Sequence, residues 1–157
     1  MMLPAPQRQY DAENETQTRH QVERELRTLT PSSGSYTPVI TSSGGGETLT
    51  YTTQLGQWVR EGNLIWFAAD IQLATKSGGS ADILVSLPAV AASLLKQTVT
   101  VEVDGHGAGW TGAPVASITT GATTAVIREL VTGSTAAAWT KLGATGVIRL
   151  TGTYLAG

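Results

Sequence analysis

Apolar and polar residues alternate along most of the chain, and the alternation is cleanest between Tyr51 and Pro88. In Leu64–Thr75, the residues Ile65, Phe67, Ala69, Ile71 and Leu73 share one parity, while Asp70 and Gln72 take the other. That is the period of a strand with one buried face. Trp58–Glu61 precedes it, and Gly62-Asn63 between the two suits a tight hairpin because both residues tolerate positive φ. Lys76–Ser80 can turn the chain, after which Ile83, Val85 and Leu87 bring a third apolar row back beside the second. Pro88 has no N–H to give to a ladder and ends that strand. The three strands read as a meander.

Further strands are expected over Tyr36–Ile40, Thr48–Leu55, Thr98–Asp104, Thr124–Leu130, Ala137–Lys141 and Gly146–Leu155. Ala89–Leu95 suits either a short helical turn or a bend, and Gly105–Pro114 reads as an exposed loop. Short strands punctuated by Gly- and Ser-rich turns predict a mainly β fold, an antiparallel β-sandwich of jelly-roll type.

The N-terminal region breaks this period. Asp11–Leu29 has helical spacing, with Asp11 as N-cap, Glu13 and Glu15 in the first turns, and Arg24 and Arg27 near the end. Glu15–Arg19, Arg19–Glu23 and Glu23–Arg27 stand at i,i+4, each contributing ~0.3 kcal/mol. The heptad stripe Ala12, Glu15, Arg19, Val22, Leu26, Leu29 is apolar only in its C-terminal half. A lone helix with so few anchors is marginal in water, so it needs its own domain, copies of itself or a larger host. Val22, Leu26 and Leu29 are the residues expected to carry helix association. Ahead of the helix, Pro4 and Pro6 favour an extended arm. It is either a disordered terminus or a docking peptide with Leu3, Pro4 and Tyr10 as its apolar contacts. Thr30–Ser35 is a breaker, and charge density falls beyond it. The expected organisation is an arm and helix over 1–30, a linker over 31–35 and a β-domain over 36–157.

Composition narrows the function classes. Charged residues make up 14% of the 157 residues, against roughly 25% in ordinary soluble domains, which suits a surface partly covered by partners. A net charge of −2 gives no electrostatic case for nucleic acid or an anionic membrane. No apolar run approaches the ~20 residues of a membrane span, and acids and prolines near the start argue against a secretory signal. The absence of cysteine removes disulfides and thiolate metal sites and fits assembly in a reducing cytoplasm.

Candidate chemistry is sparse. His106 lies between glycines, yet a catalytic His needs a nucleophile or an orienting acid, and a zinc site needs about three ligands. Asp70 and Asp82 could face each other across the second hairpin, but on an outer sheet face they read as solvated charges rather than a glycosidase pair. Gly44-Gly45-Gly46 lacks the lysine and following helix of a phosphate loop. Trp58 and Trp66, on paired strands, are expected in the core or between subunits. Trp110, in its Gly-rich loop, is the better candidate for an external contact. No catalytic residue, metal or cofactor is assigned, and His106 and Trp110 are the possible ligand contacts.

Two segments carry a resemblance. Tyr51, Thr52, Gln54, Gly56, Trp58, Arg60, Gly62, Asn63 and Ile65, followed by Ile83, Val85, Ser86, Leu87 and Pro88, resemble a β-module of tailed-bacteriophage fibre and appendage proteins. Tyr10, Asp11, Asn14, Glu15, Gln17, Arg19, Val22 and Glu23 resemble an N-terminal segment of phage tail-associated and appendage proteins. The resemblance implies a non-enzymatic virion structural protein, assembled in the bacterial cytoplasm and homotrimeric. It would be anchored to tail or capsid proteins through Leu3, Pro4 and Tyr10. A short fibre or knob binding a host-surface glycan and a capsid decoration without receptor binding are both compatible with it. A free carbohydrate-binding module would use the sandwich and Trp110 but leave the helix without a role.

Overall fold

The computed structural model describes residues 12–29, 31–92, 96–106, 110–131 and 134–157. The chain divides into two compact units, Met1–Thr30 and Pro31–Gly157. In the first, α1 (Ala12–Leu29) is helical as its spacing predicts. Arg19 and Glu15 pair at 3.1 Å, whereas Glu23 approaches His20 Nδ1 at 3.9 Å. The expected N-cap Asp11 lies outside the described residues.

In the second unit the strands are β1 (Ser32–Tyr36), β2 (Ile40–Ser42), β3 (Thr48–Glu61), β4 (Leu64–Ser77) and β5 (Ile83–Ser86). They continue as β6 (Gln97–His106), β7 (Ala113–Ile118), β8 (Thr124–Val131), β9 (Ser134–Ala137) and β10 (Leu142–Leu155). Among the described residues these form one antiparallel path, β1-β3-β4-β10-β6-β7-β8-β5-β2, with β9 paired to β8. The path folds over at β6. Its first residues, Gln97–Val99, pair with β7, while Thr100–Asp104 pair with β10. One strand thereby belongs to two half-sheets, a corner typical of packed sheets.

The half-sheets close over a single core, giving the sandwich-like mainly β fold that the alternation predicts. Ile65, Phe67, Ala69, Ile71 and Leu73 of β4 are all buried, and Ile83, Ile118 and Ile127 face them from the other half. Tyr154 is fully buried, edge-on to Phe67, and its hydroxyl donates to Ala89 O and accepts from Ala89 N. Gly62, with φ +57, makes the β3–β4 turn as the Gly-Asn pair predicts.

Four local expectations are corrected. The run 31–35, expected as a linker, instead supplies the edge strand β1. Its backbone pairs with β3, placing Gly34 opposite Trp58 and Tyr36 opposite Gly56. Each aromatic ring lies over the facing glycine, where a Cβ would come within 3.0 Å of Trp58 and 2.4 Å of Tyr36. Small residues that look like a breaker are thus what lets two aromatics lie flat on the sheet. Second, β5 does not return beside β4 but pairs with β2 and β8. Parity reveals which face is buried, but not which strand lies alongside. Third, Ala137–Lys141 is not one strand: β9 ends at Ala137 and Trp139–Lys141 is a 3-10 turn. Fourth, the expected loop Gly105–Pro114 is shorter, because β6 runs to His106 and β7 starts at Ala113. In the open segment after Pro88, Ala91 bridges to Ala156.

The 3-10 turn closes the crossover from β4 to β5. Trp139 is 1% exposed, its Nε1 donates to Gly78 O at 2.7 Å, and its backbone N–H donates to Ala81 O. Gly79, at φ +76, lies so close that a Cβ would sit 2.3 Å from the indole. Lys76 Nζ, 4.9 Å from the ring centroid, donates to the carbonyls of Trp139 and Leu142.

Candidate functional site

The residues singled out by sequence do not converge. Leu3, Pro4 and Tyr10 lie outside the described residues. Val22, Leu26 and Leu29 all fall in α1, with Val22 48% exposed. His106 ends β6, in register with Leu142 of β10. Trp110 is half-buried and packs against the core, and its Nε1 is buried without a hydrogen-bond partner.

What holds the segment after Trp110 is a carboxylate that the sequence reading passed over. Glu129 is fully buried. Its Oε1 accepts from the N–H groups of Thr111 and Gly112 and from Thr111 Oγ1 at 2.9 Å, while Lys141 Nζ pairs with Oε2. Gly112 is required here, because a Cβ would fall 1.9 Å from Leu130 O. The signal was present in the chain: Glu129 shares the parity of buried Ala125 and Ile127, so its side chain must point inward. A buried carboxylate needs partners, and this one has them.

The Lys141 ammonium, followed by the amide and hydroxyl donors, holds the Glu129 carboxyl down at about 2, against an ordinary 4.5. A depressed carboxylate contributes stability that is complete above its ordinary value and is lost as pH falls toward the folded one. Glu129→Gln should therefore melt below the parent at neutral pH. The gap between the two melting temperatures should close as pH falls from 4.5 to 2. A gap that stays constant over that range, followed by circular dichroism, contradicts the assignment.

A second assembly lies on the outer face of the half-sheet β1-β3-β4-β10-β6. Arg149 of β10 stands in register with Asp70 of β4 and Glu102 of β6. Its Nε is 3.5 Å from Asp70 Oδ1 and its Nη1 is 3.5 Å from Glu102 Oε2, with all three side chains about half-exposed. Beside this ladder runs an open groove of about 610 Å³. Leu55 at its edge is 65% exposed, and Val59 and Trp66 lie exposed on the same face. Trp66 is thus a surface residue, whereas Trp58 is partly buried against the core.

Asp82 belongs to the other half, bound to Arg128 Nη2 at 2.7 Å. Asp70 and Asp82 therefore do not face each other, because the crossover after β4 carries Asp82 to the β5 side. Each carboxylate has its own arginine, and the two do not form an acid–base pair. Among the described residues no three His, Cys, Asp or Glu side chains converge as a metal-binding group, and no helix is long and apolar enough to cross a membrane.

Neither a protein-family model nor a curated protein matches the chain. A solved structure does. The chain is similar in fold to part of the Dettilon tailspike protein, with a TM-score of 0.67 and 19% identity over 79% of its length. The similar region is 23% of that larger chain. At this identity the likeness is one of fold. The two half-sheets joined through β6 are thus an arrangement that a tailspike protein also contains.

Proposed function

We propose that this chain is a structural and attachment module of a tailed-bacteriophage virion: a short trimeric fibre or knob held on the particle by its N-terminal segment. The observation that carries this reading is the similarity of fold to part of a tailspike protein over 79% of the chain. The two phage-like sequence segments, in the same order, support it independently. The trimer is supported by the low charge density and by the C-terminal half of the helical stripe. The module does no covalent chemistry. Asp70 and Asp82 sit on different half-sheets, each engaged by an arginine.

The test is sedimentation of the purified chain together with gold-labelled antibody on intact particles. The expected results are three times the 16.3 kDa protomer mass and label on the virion. Label at the tail tip identifies a fibre, and label on the capsid a head decoration. A stable monomer at micromolar concentration sinks the trimer, and unlabelled particles sink the virion location.

A further inference from the structure

We propose that the free edge of β1 is a docking site for an extended segment of another protein of the particle, which adds to the sheet as one more strand. The inference rests on the virion reading and names the kind of partner that the β-domain takes there.

The path of strands ends in β1 on one side and β2 on the other, and the two ends differ. Side chains from β3, and from Glu47 just ahead of it, close the outer side of β2. The Tyr51 hydroxyl accepts from Ile40 N at 3.1 Å and donates to Ile40 O at 3.2 Å, and Glu47 Oε1 accepts from Ser42 N at 3.0 Å. Gln54 Nε2 donates to Pro38 O ahead of the strand. The backbone groups that a further strand would need are thus already engaged. β1 has no such cover. Gly62-Asn63 is a two-residue turn, so Glu61 and Leu64 exchange both of their hydrogen bonds across it. The alternation that follows turns Arg60, Trp58 and Gly56 toward β1, where they meet Ser32, Gly34 and Tyr36. Ser33 and Ser35 therefore direct their N–H and C=O groups outward, and both residues are exposed. No proline, charge or bulge within β1 blunts this edge, although these are the usual devices.

An added strand would gain up to about four backbone hydrogen bonds, from the N–H and C=O groups of Ser33 and Ser35. An open cavity of about 360 Å³, lined by Ser33, Gly34, Ser35, Gln57, Trp58 and Val59, has room for one of its side chains. The indole of Trp58, spread over Gly34, gives that cavity an apolar wall. β1 itself carries no charge, so recognition runs through the backbone. The partner it fits is an extended, uncharged stretch of polypeptide with an apolar side chain set against Trp58. In the proposed trimer a second copy does not fill this role. Two β1 edges pair about a twofold axis, which a threefold assembly lacks. Head-to-tail pairing would need the edge of β2, which Tyr51 and Glu47 close. β1 follows α1 in sequence, so a strand added here carries into the β-domain the attachment begun by the N-terminal segment.

Particles lacking the native copy are complemented with the full-length parent, Ser33→Pro or Ser33→Lys, and incorporation is scored by gel. Proline at position 33 removes an outward N–H and puts a ring in the partner's way, while the bonds to β3 remain. Lysine guards the edge without altering the backbone. Both variants should match the parent in thermal melting and sedimentation, and should join particles less by about tenfold or more. A Ser33→Cys variant, in a chain with no other cysteine, carries a benzophenone label for photo-cross-linking on assembled particles. Mass spectrometry should find the label joined to a different virion protein. The proposal is overturned if the proline and lysine variants join particles as the parent does, or if either changes the oligomer. It is also overturned if the label joins nothing, or only copies of this chain. A parent that fails to join particles overturns the virion reading and this inference with it. A parent that joins equally with its variants overturns this inference alone.

Discussion

Deleting residues 1–30 is expected to leave a folded, β-rich protein that no longer joins the particle. Among the described residues the buried cluster lies in the unit Pro31–Gly157. The described side chains of α1, from Glu15 to Arg24, are exposed. An 18-residue helix is marginal in isolation, and on the proposed reading α1 is stabilised where it meets other chains. The position of the cut matters. Ending the deletion before Ser32 keeps β1, whereas removing 1–35 strips all of the edge strand but Tyr36 and uncovers Trp58. The measurement is a far-UV spectrum and melt of the 31–157 protein, with complementation of particles lacking the native copy, scored by gel. Near-parental melting and complete loss from particles are expected. Normal incorporation would move the anchor into the β-domain.

Trp139→Ala is expected to produce the largest loss of stability among single substitutions in that domain. The ring is 1% exposed and fills the space over Gly79, and its N–H satisfies Gly78 O. Truncating a buried aromatic costs about 3–5 kcal/mol, and the freed carbonyl adds to that. For a domain of this size the melting temperature should fall by roughly 10–20 °C. Trp139→Phe should recover much of the packing but not the bond to Gly78. Thermal unfolding followed by circular dichroism gives both midpoints. A drop of only a few degrees for Trp139→Ala would mean that the β4–β5 crossover is held by something else.

These elements also mark where sequence reasoning stopped. Alternation located β4, β6 and β8 closely, because a strand with one buried face writes its orientation into residue parity. The same parity held Glu129 in plain view. It passed unnoticed because a charged residue in an alternating run reads as outward unless its position is counted. Beyond the β3–β4 hairpin, strand neighbours were not legible: β10 separates β4 from β6, and β5 leaves for the other half, and neither leaves a local trace. Nor was β1, since Ser-Ser-Gly-Ser has low strand propensity and becomes extended only because β3 offers its edge. The outer groove arises from four strands drawn from distant parts of the chain, so no run of residues announces it. The half-burial of Trp110 was not legible either: a glycine-rich neighbourhood suggests exposure, but Glu129 draws the segment after it onto the protein body.

The position of β10 bears on how the protein is made. Leu142–Leu155 comes later in sequence than both of its neighbours, yet lies between β4 and β6 rather than at an edge. While a ribosome is still short of this segment, the edges of β4 and β6 that it will occupy stand open, and the two half-sheets are linked only through the chain. Unpaired edges of this kind invite pairing with other chains. The hazard ends only when β10 fills the gap, so this half-sheet cannot close before Leu142–Leu155 has been made.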